Sequence, residues 1–406
     1  MRVSSLPPAD VAALVAAVCA GVRGREEMLV EVRRDLHAHP ELSWSEERTA
    51  ATVSKHLEHA GLDPRPMARG GLLVDIGPTG ATTGPLVALR ADLDALPVDD
   101  RTGDPWASTV PGVAHACGHD VHTTALLGAG LALAAVADRL PGRVRLVFQP
   151  AEEIMPGGAL MAIDGGALDG VDRIFGLHVD PTLDVGTVGV REGPLTGAAD
   201  HLDVVLTGKG GHTSRPHLTE DLTFALGKLV TELPAVLSRR MDPRAGVSVV
   251  WGLVQAGSAV NVIPSTGRAG GTVRMLDAVA WHDAEQLVSD TIAQIVEPYG
   301  VEPTIRYVRG VPPVVNEHRA THVLAAAVSD VLGQPGVVAT TQSLGGEDFA
   351  WYVDSVAGAM GRLGTRTPGG PTYDLHQGDL RVDEGAISVG AQVLAAAAIE
   401  SLVTDR

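Results

Sequence analysis

Cys117 and His119 stand two residues apart in His115-Ala116-Cys117-Gly118-His119-Asp120-Val121-His122, just ahead of an apolar helical pattern. A thiolate and an imidazole at that spacing can face one ion, with Gly118 letting the backbone turn sharply between them. The pair suits a borderline cation such as zinc. The plainer alternative is a buried cysteine beside a capping turn. Glu152 and Glu153 end the apolar run RVRLVFQPAEE. Adjacent side chains on a strand point to opposite faces, but where a strand ends the chain can turn and bring both carboxylates to one site. One could then hold metal and the other handle protons; a solvated acidic turn would look the same. His178 closes FGLHV, where a lone histidine is more often a satisfied core residue than a ligand. His376 lies in YDLHQ, with Asp374 near enough to orient it. The carboxylates of RADLDALP, Asp92 and Asp94, could support ligands from behind.

These residues need strand ends and helix starts to hold them. Residues 25–38 and 46–60 read as helices, the second closed by Gly61. GLLVDIG and GPLVALRADLD follow as strands, then a helix from about Thr123 to Leu140, then the strands RVRLVFQ and RIFGLHV. This βαβ rhythm predicts an α/β fold with a mainly parallel sheet and helices on both faces. From about Arg191 the order becomes β-α-β-β-α-β, that of a ferredoxin-like α+β unit. Helical patterns return at 318–333, 347–358 and 383–402. The expectation is a discontinuous catalytic domain, 1–192 and 310–406, interrupted by an inserted domain over 193–309.

The composition of the 406 residues limits the function. With 45% apolar and 20% charged residues the chain can bury a core, and with 3% aromatics that core is aliphatic. The formal charge of −18 leaves no basic face for nucleic acid. Two cysteines, Cys19 and Cys117, fit a reducing compartment rather than a disulfide framework. The apolar run Val11–Val22 has only Arg2 before it and flows into a charged helical pattern, so it reads as an N-terminal helix and not a leader. No charge-free apolar stretch suggests a membrane span. A cytoplasmic protein is expected.

Taken in order, RADLDALP, HACGHDVHT, QPAEE, GLHV, GKGGHTSRPH, NVIPSTGRAGGTVR, GGEDFAWY and YDLHQGD resemble the aminoacylase-like metallopeptidase family. The narrower likeness is to hippurate hydrolases, N-acetyl-diaminopimelate deacetylases and indole-acetyl-amino-acid hydrolases, and RRDLHAHPELSWSEERTA also fits that branch. The resemblance spans roughly residues 30–400. It implies metal ligands at Cys117, His119, Glu153, His178 and His376, with Glu152 as general base. Five ligands exceed one tetrahedral ion with an open position, so two divalent ions (zinc, manganese, cobalt or nickel) are expected, bridged by Cys117 or a hydroxide. Some relatives carry His-x-Asp where this chain has Arg90-Ala91-Asp92; the cysteine-containing branch lacks that histidine.

The resemblance further implies that the inserted domain acts as a lid and dimer interface. His212 would stabilise the oxyanion, reaching the active site of a partner subunit, although Gly-Gly-His also reads as a hairpin turn. Asn261 and Arg274 would bind substrate, the planar fork of Arg274 suiting a free carboxylate. His37, His39, His115, His122 and His217 are expected to cap, pack or orient rather than ligate. The implied activity is hydrolysis of a small N-acyl amino acid by a homodimer. A dipeptidase or carboxypeptidase would use the same machinery, and a non-catalytic binding protein would be expected to lose part of it.

Overall fold

The computed structural model describes residues 7–78 and 84–404. The chain forms two compact units. The first runs to Gly193, takes in Val315–Thr341 and resumes at Trp351; the second comprises Pro194–Val314 and Gln342–Ala350. The return to the first unit thus falls beyond 309, because the last strand of the insertion continues through Val311. Residues 342–350, placed by their pattern with the catalytic domain, group with the insertion.

The first unit is built on an eight-stranded mixed sheet. Its central strands, Arg143–Gln149, Leu86–Asp92, Arg173–Asp184 and Ala357–Arg366, are parallel neighbours in that order. Leu72–Ile76 adds antiparallel on one side and Val188–Val190 on the other. Every residue of Leu86–Asp92 is buried, as a strand covered on both faces requires. The strand Ala357–Arg366 is concealed by its sequence: 347–358 read as helix, but the helix is short, Phe349–Ser355, and strand follows. Its glycines answer to packing. A Cβ at Gly358 would lie 2.6 Å from the Ile174 carbonyl oxygen, and one at Gly361 3.0 Å from Leu177 and Val188. Such close approach excludes the β-branched residues that normally announce a strand.

Two apolar helices, His119–Ala134 and Gly385–Val403, pack on each other and on the central strands. Gly385–Val403 is long and apolar enough to cross a membrane, yet its residues Val393 to Ile399 are buried in the core. The N-terminal helix Pro8–Arg23 buries Val11, Leu14, Val18 and Val22 against these helices. Arg2, which entered the argument about a leader, lies outside the described residues.

The second unit has a four-stranded antiparallel sheet in the order Ser248–Ala256, Thr266–Met275, Ala198–Thr207, Glu302–Val311. Helices Leu222–Arg240 and Ala278–Val296 pack against it and each other. This is the ferredoxin-like order that the alternation predicts. Asp200 is buried at its centre, accepting hydrogen bonds from Trp281 Nε1 at 2.9 Å, Tyr307 Oη at 2.6 Å and the Gly310 amide at 2.8 Å.

Candidate metal centre

The first unit brings six of the expected residues together. One ligand atom from each of Cys117, His119 and His178 lies within 4.8 Å of the others, and the same holds for Cys117, Glu153 and His376, and for His119, Glu152 and Glu153. Cys117 Sγ is 3.6 Å from His178 Nε2, and His376 Nε2 is 3.6 Å from Glu153 Oε2. His119 Nε2 lies 3.7 Å from Glu153 and 3.9 Å from Glu152.

Local backbone explains each placement. Gly118 has φ +79°, and a Cβ there would sit 2.6 Å from Val179 Cγ2. Only glycine makes this turn without strain, and it sets Cys117 and His119 on the same side at the start of the helix. Ala151 has φ +55°, which breaks strand alternation just before Glu152 and Glu153. That turn is held from two sides. Glu46 Oε1 accepts the Ala151 amide at 2.7 Å, and Asp94 accepts the amides of Glu152 and Glu153 at 3.0 and 2.9 Å. His376, at φ +62°, donates its amide to the Ala116 carbonyl at 2.7 Å, tying the last ligand candidate to the Cys117 turn. Asp374, expected to orient it, is exposed, and no hydrogen bond joins the two; backbone anchoring takes its place.

The donor chemistry fits divalent cations. His178 Nδ1 faces the Val179 carbonyl at 2.8 Å, so Nδ1 carries the proton and the Nε2 lone pair faces Cys117. Glu153 Oε1 and His119 Nε2 are buried without a hydrogen-bond partner, while His119 Nδ1 on the far side of the ring lies 3.3 Å from Asp94 Oδ1. Buried polar atoms without partners are costly, and a cation at their centre would satisfy them. Burial, with Asp94 and Asp92 nearby, pushes the Glu153 carboxyl up to about 7 against the pull of His119. Burial and the Glu153 charge raise the Cys117 thiol. Burial lowers both His178 and His376 and favours their neutral form, whereas at His119 burial is outweighed by Asp92, Asp94 and Cys117, which raise it well above its ordinary value. Burial disfavours charge on Asp92, but His119, His122 and Arg90 outweigh it and hold its pKa well below the usual range.

The family model described as peptidase family M20/M25/M40 matches residues 88–400. The chain belongs to that family. An N-acetyl-L-cysteine deacetylase of Bacillus subtilis (strain 168) is 39% identical over 363 residues, covering 89% of this chain and 85% of the relative. A solved Bacillus subtilis structure, described as a dinuclear metal-binding peptidase of the M20 family, superposes with a TM-score of 0.83 at 33% identity, covering 94% of this chain and 99% of the other. A protein of Rhodococcus jostii (strain RHA1) bearing a glutamate–cysteine ligase name is 50% identical over 372 residues. The match covers 91% of this chain but only 46% of that longer protein, and the ligase name is not carried over.

Within this M20 chain several residues position the site, and of them Gln149 and Glu46 were given no role from sequence. His122 Nδ1 meets Asp92 at 2.6 Å while its Nε2 accepts the Val179 amide at 2.9 Å, so both nitrogens are committed to holding the site together. Gln149 accepts from Arg90 Nε at 2.9 Å and Tyr352 Oη at 3.1 Å, bracing the strand that delivers the acidic turn. Glu46 was visible only as part of a motif.

His212, Asn261 and Arg274 belong to the second unit. Gly211–His212 pairs antiparallel with Val262–Ile263, and the Thr213 amide donates to the Asn261 carbonyl at 3.2 Å, so His212 and Asn261 share one small exposed module. The Ser214 amide donates to His212 Nδ1 at 3.1 Å, leaving Nε2 to carry the ring proton. Arg274 donates to the Leu344 carbonyl at 2.6 Å.

Proposed function

We propose that this chain hydrolyses the amide bond of small N-acyl amino acids, using two divalent ions held by Cys117, His119, Glu153, His178 and His376, with Glu152 as general base. Membership of the family and its deacetylase relative make the chain an amidohydrolase; the substrate and the assignment of roles are the proposal. One observation carries it. Cys117 is common to two donor clusters, one with His119 and His178, the other with Glu153 and His376, and Glu152 stands beside both. That arrangement suits a pair of ions.

Divalent cations in this cradle would supply Lewis-acid activation of water and of the scissile carbonyl. The chain's own residues do the rest. Asp94 fixes the backbone of both glutamates, so the Glu152 carboxylate is aimed while Glu153 is held as a ligand. Glu152 takes the proton of the attacking water and returns it to the leaving amine, which leaves as a neutral molecule. His212, with Nε2 as donor, is assigned to the developing oxyanion, and Arg274 to the substrate carboxylate. This reading also assigns a homodimer built through the second unit and a cytoplasmic location, the latter suited to two free, buried cysteines. Light scattering tests the dimer: a monomer at working concentration would remove the partner-subunit role of His212.

The test of the function is amine release from N-acetyl and N-benzoyl amino acids and from simple dipeptides, before chelation, after it, and after metal is restored. Chelator-sensitive release that metal rescues, strongest on an N-acyl amino acid, is expected. Preference for dipeptides would reassign the substrate to peptides. No release from folded protein containing two ions would sink the reading.

A further inference from the structure

Away from the Cys117 cradle, Glu192, His318 and His322 place one ligand atom each within 4.8 Å of one another, all three exposed. His318 and His322 are one helical turn apart on His318–Leu332 and so share a face. Their ring centroids are 4.4 Å apart, and His318 Nδ1 is 2.9 Å from a Glu192 carboxylate oxygen. The third donor therefore comes from a separate segment, so the trio is not a by-product of helical spacing.

We propose that Glu192, His318 and His322 form a further site for a late first-row divalent cation such as Zn²⁺, Ni²⁺ or Cu²⁺. Two imidazoles and a carboxylate suit these ions, and three protein donors leave coordination positions for water. The site shares no residue with the Cys117 cradle. It lacks a thiolate and is open to solvent, so its ion exchanges readily.

Its location gives it a consequence. Glu192 directly precedes Gly193, where the chain leaves the first unit, and His318 lies just after Val315, where the chain returns. Among the ties these crossings already have, Asn316 donates through Nδ2 to the Arg191 carbonyl at 2.9 Å. An ion on Glu192, His318 and His322 adds a further tie between them, so it stabilises the folded chain by mass action. The competing reading is a surface ion pair between His318 and Glu192 with an idle histidine nearby, which takes up no metal.

The experiment compares wild type with His322→Ala and Glu192→Gln, all full-length and first loaded with Zn²⁺ and freed of excess. Because the substituted side chains are exposed, turnover and circular dichroism should match wild type; His322→Gln replaces the alanine variant if it does not fold. Calorimetric titration with Zn²⁺ should then show one more equivalent bound by wild type than by His322→Ala, and weaker uptake by Glu192→Gln. Zn²⁺ should raise the melting temperature of wild type more than that of His322→Ala. Equal uptake and an equal thermal response in all three proteins would overturn the site.

Discussion

Asp94 accepts the backbone N–H of Glu153 at 2.9 Å, fifty-nine positions along the chain. Ser43 Oγ donates to that same oxygen at 2.6 Å, and the other oxygen takes the Glu152 amide at 3.0 Å. One carboxylate thus sets the backbone geometry of both candidate glutamates without touching either side chain. Asp94→Ala should lower metal affinity or turnover by about 10–100-fold, the usual cost of losing a residue that orients ligands. Metal titration and kcat/KM check this; values within twofold (roughly the scatter of such effects) would mean that the turn holds its shape unaided.

Glu46 does a similar job at Ala151, and it also ties stability to pH. Its carboxyl is pushed from an ordinary 4.5 to about 7, first by burial and then by the Asp94 charge, against the pull of backbone amides. The sign follows from the raised value. Below the ordinary value both folded and unfolded chains hold the proton. Between it and the folded value only the folded chain does, so this group's contribution is lost as pH rises through that window. Denaturant midpoints of chelated protein at about pH 5 and about pH 7 should fall for wild type, and fall less for Glu46→Gln. An identical fall in both would show that Glu46 is ionised in the fold.

Glu46 also shows where a sequence stops being informative. Read from sequence as the first residue of a helix, it instead directly precedes the helix Glu47–His59, and its side chain makes no capping bond but goes to Ala151. Nothing local signals a partner 105 residues away. The β-α-β-β-α-β order and the buried strands were legible because hydrophobic periodicity is local. The Ala357–Arg366 strand was not, because its glycines are chosen by neighbours such as Ile174 and Leu177. Of the candidate ligands, Cys117 and His119 were legible from spacing around a glycine. His178 and His376 were legible only through resemblance, since a single histidine carries no pattern.

Gly118 offers a test confined to backbone. An alanine there must adopt φ near +79° and bring its Cβ within 2.6 Å of Val179. Gly118→Ala should destabilise the protein by about 1–3 kcal/mol and reduce the metal retained, because Cys117 and His119 flank the strained bond. Thermal melts and metal analysis read the two effects. Full metal content with an unchanged melting point would show that Val179 and the turn can yield.

Arg274 spends one guanidinium nitrogen on the Leu344 carbonyl, a structural use that competes with its proposed hold on substrate. If the remaining fork binds a carboxylate, Arg274→Ala should lose much more kcat/KM on substrates with a free acid than on their amidated analogues. Equal losses on both would leave Arg274 as the anchor of residues 342–350 and nothing more.

Glu152 is the residue on which the proposed mechanism turns. Its amide is fixed by Asp94 and its carboxylate stands 3.9 Å from His119 Nε2, yet Glu153, not Glu152, falls in the cluster with Cys117 and His376. Neutralising it without changing its shape should therefore leave the ions in place and remove proton transfer. Glu152→Gln is expected to keep its full metal complement while kcat drops by about 10²–10⁴-fold. The two readings of the acidic pair part company here. Loss of metal in Glu152→Gln would make Glu152 a ligand, and near-normal turnover would pass the role of base to another group.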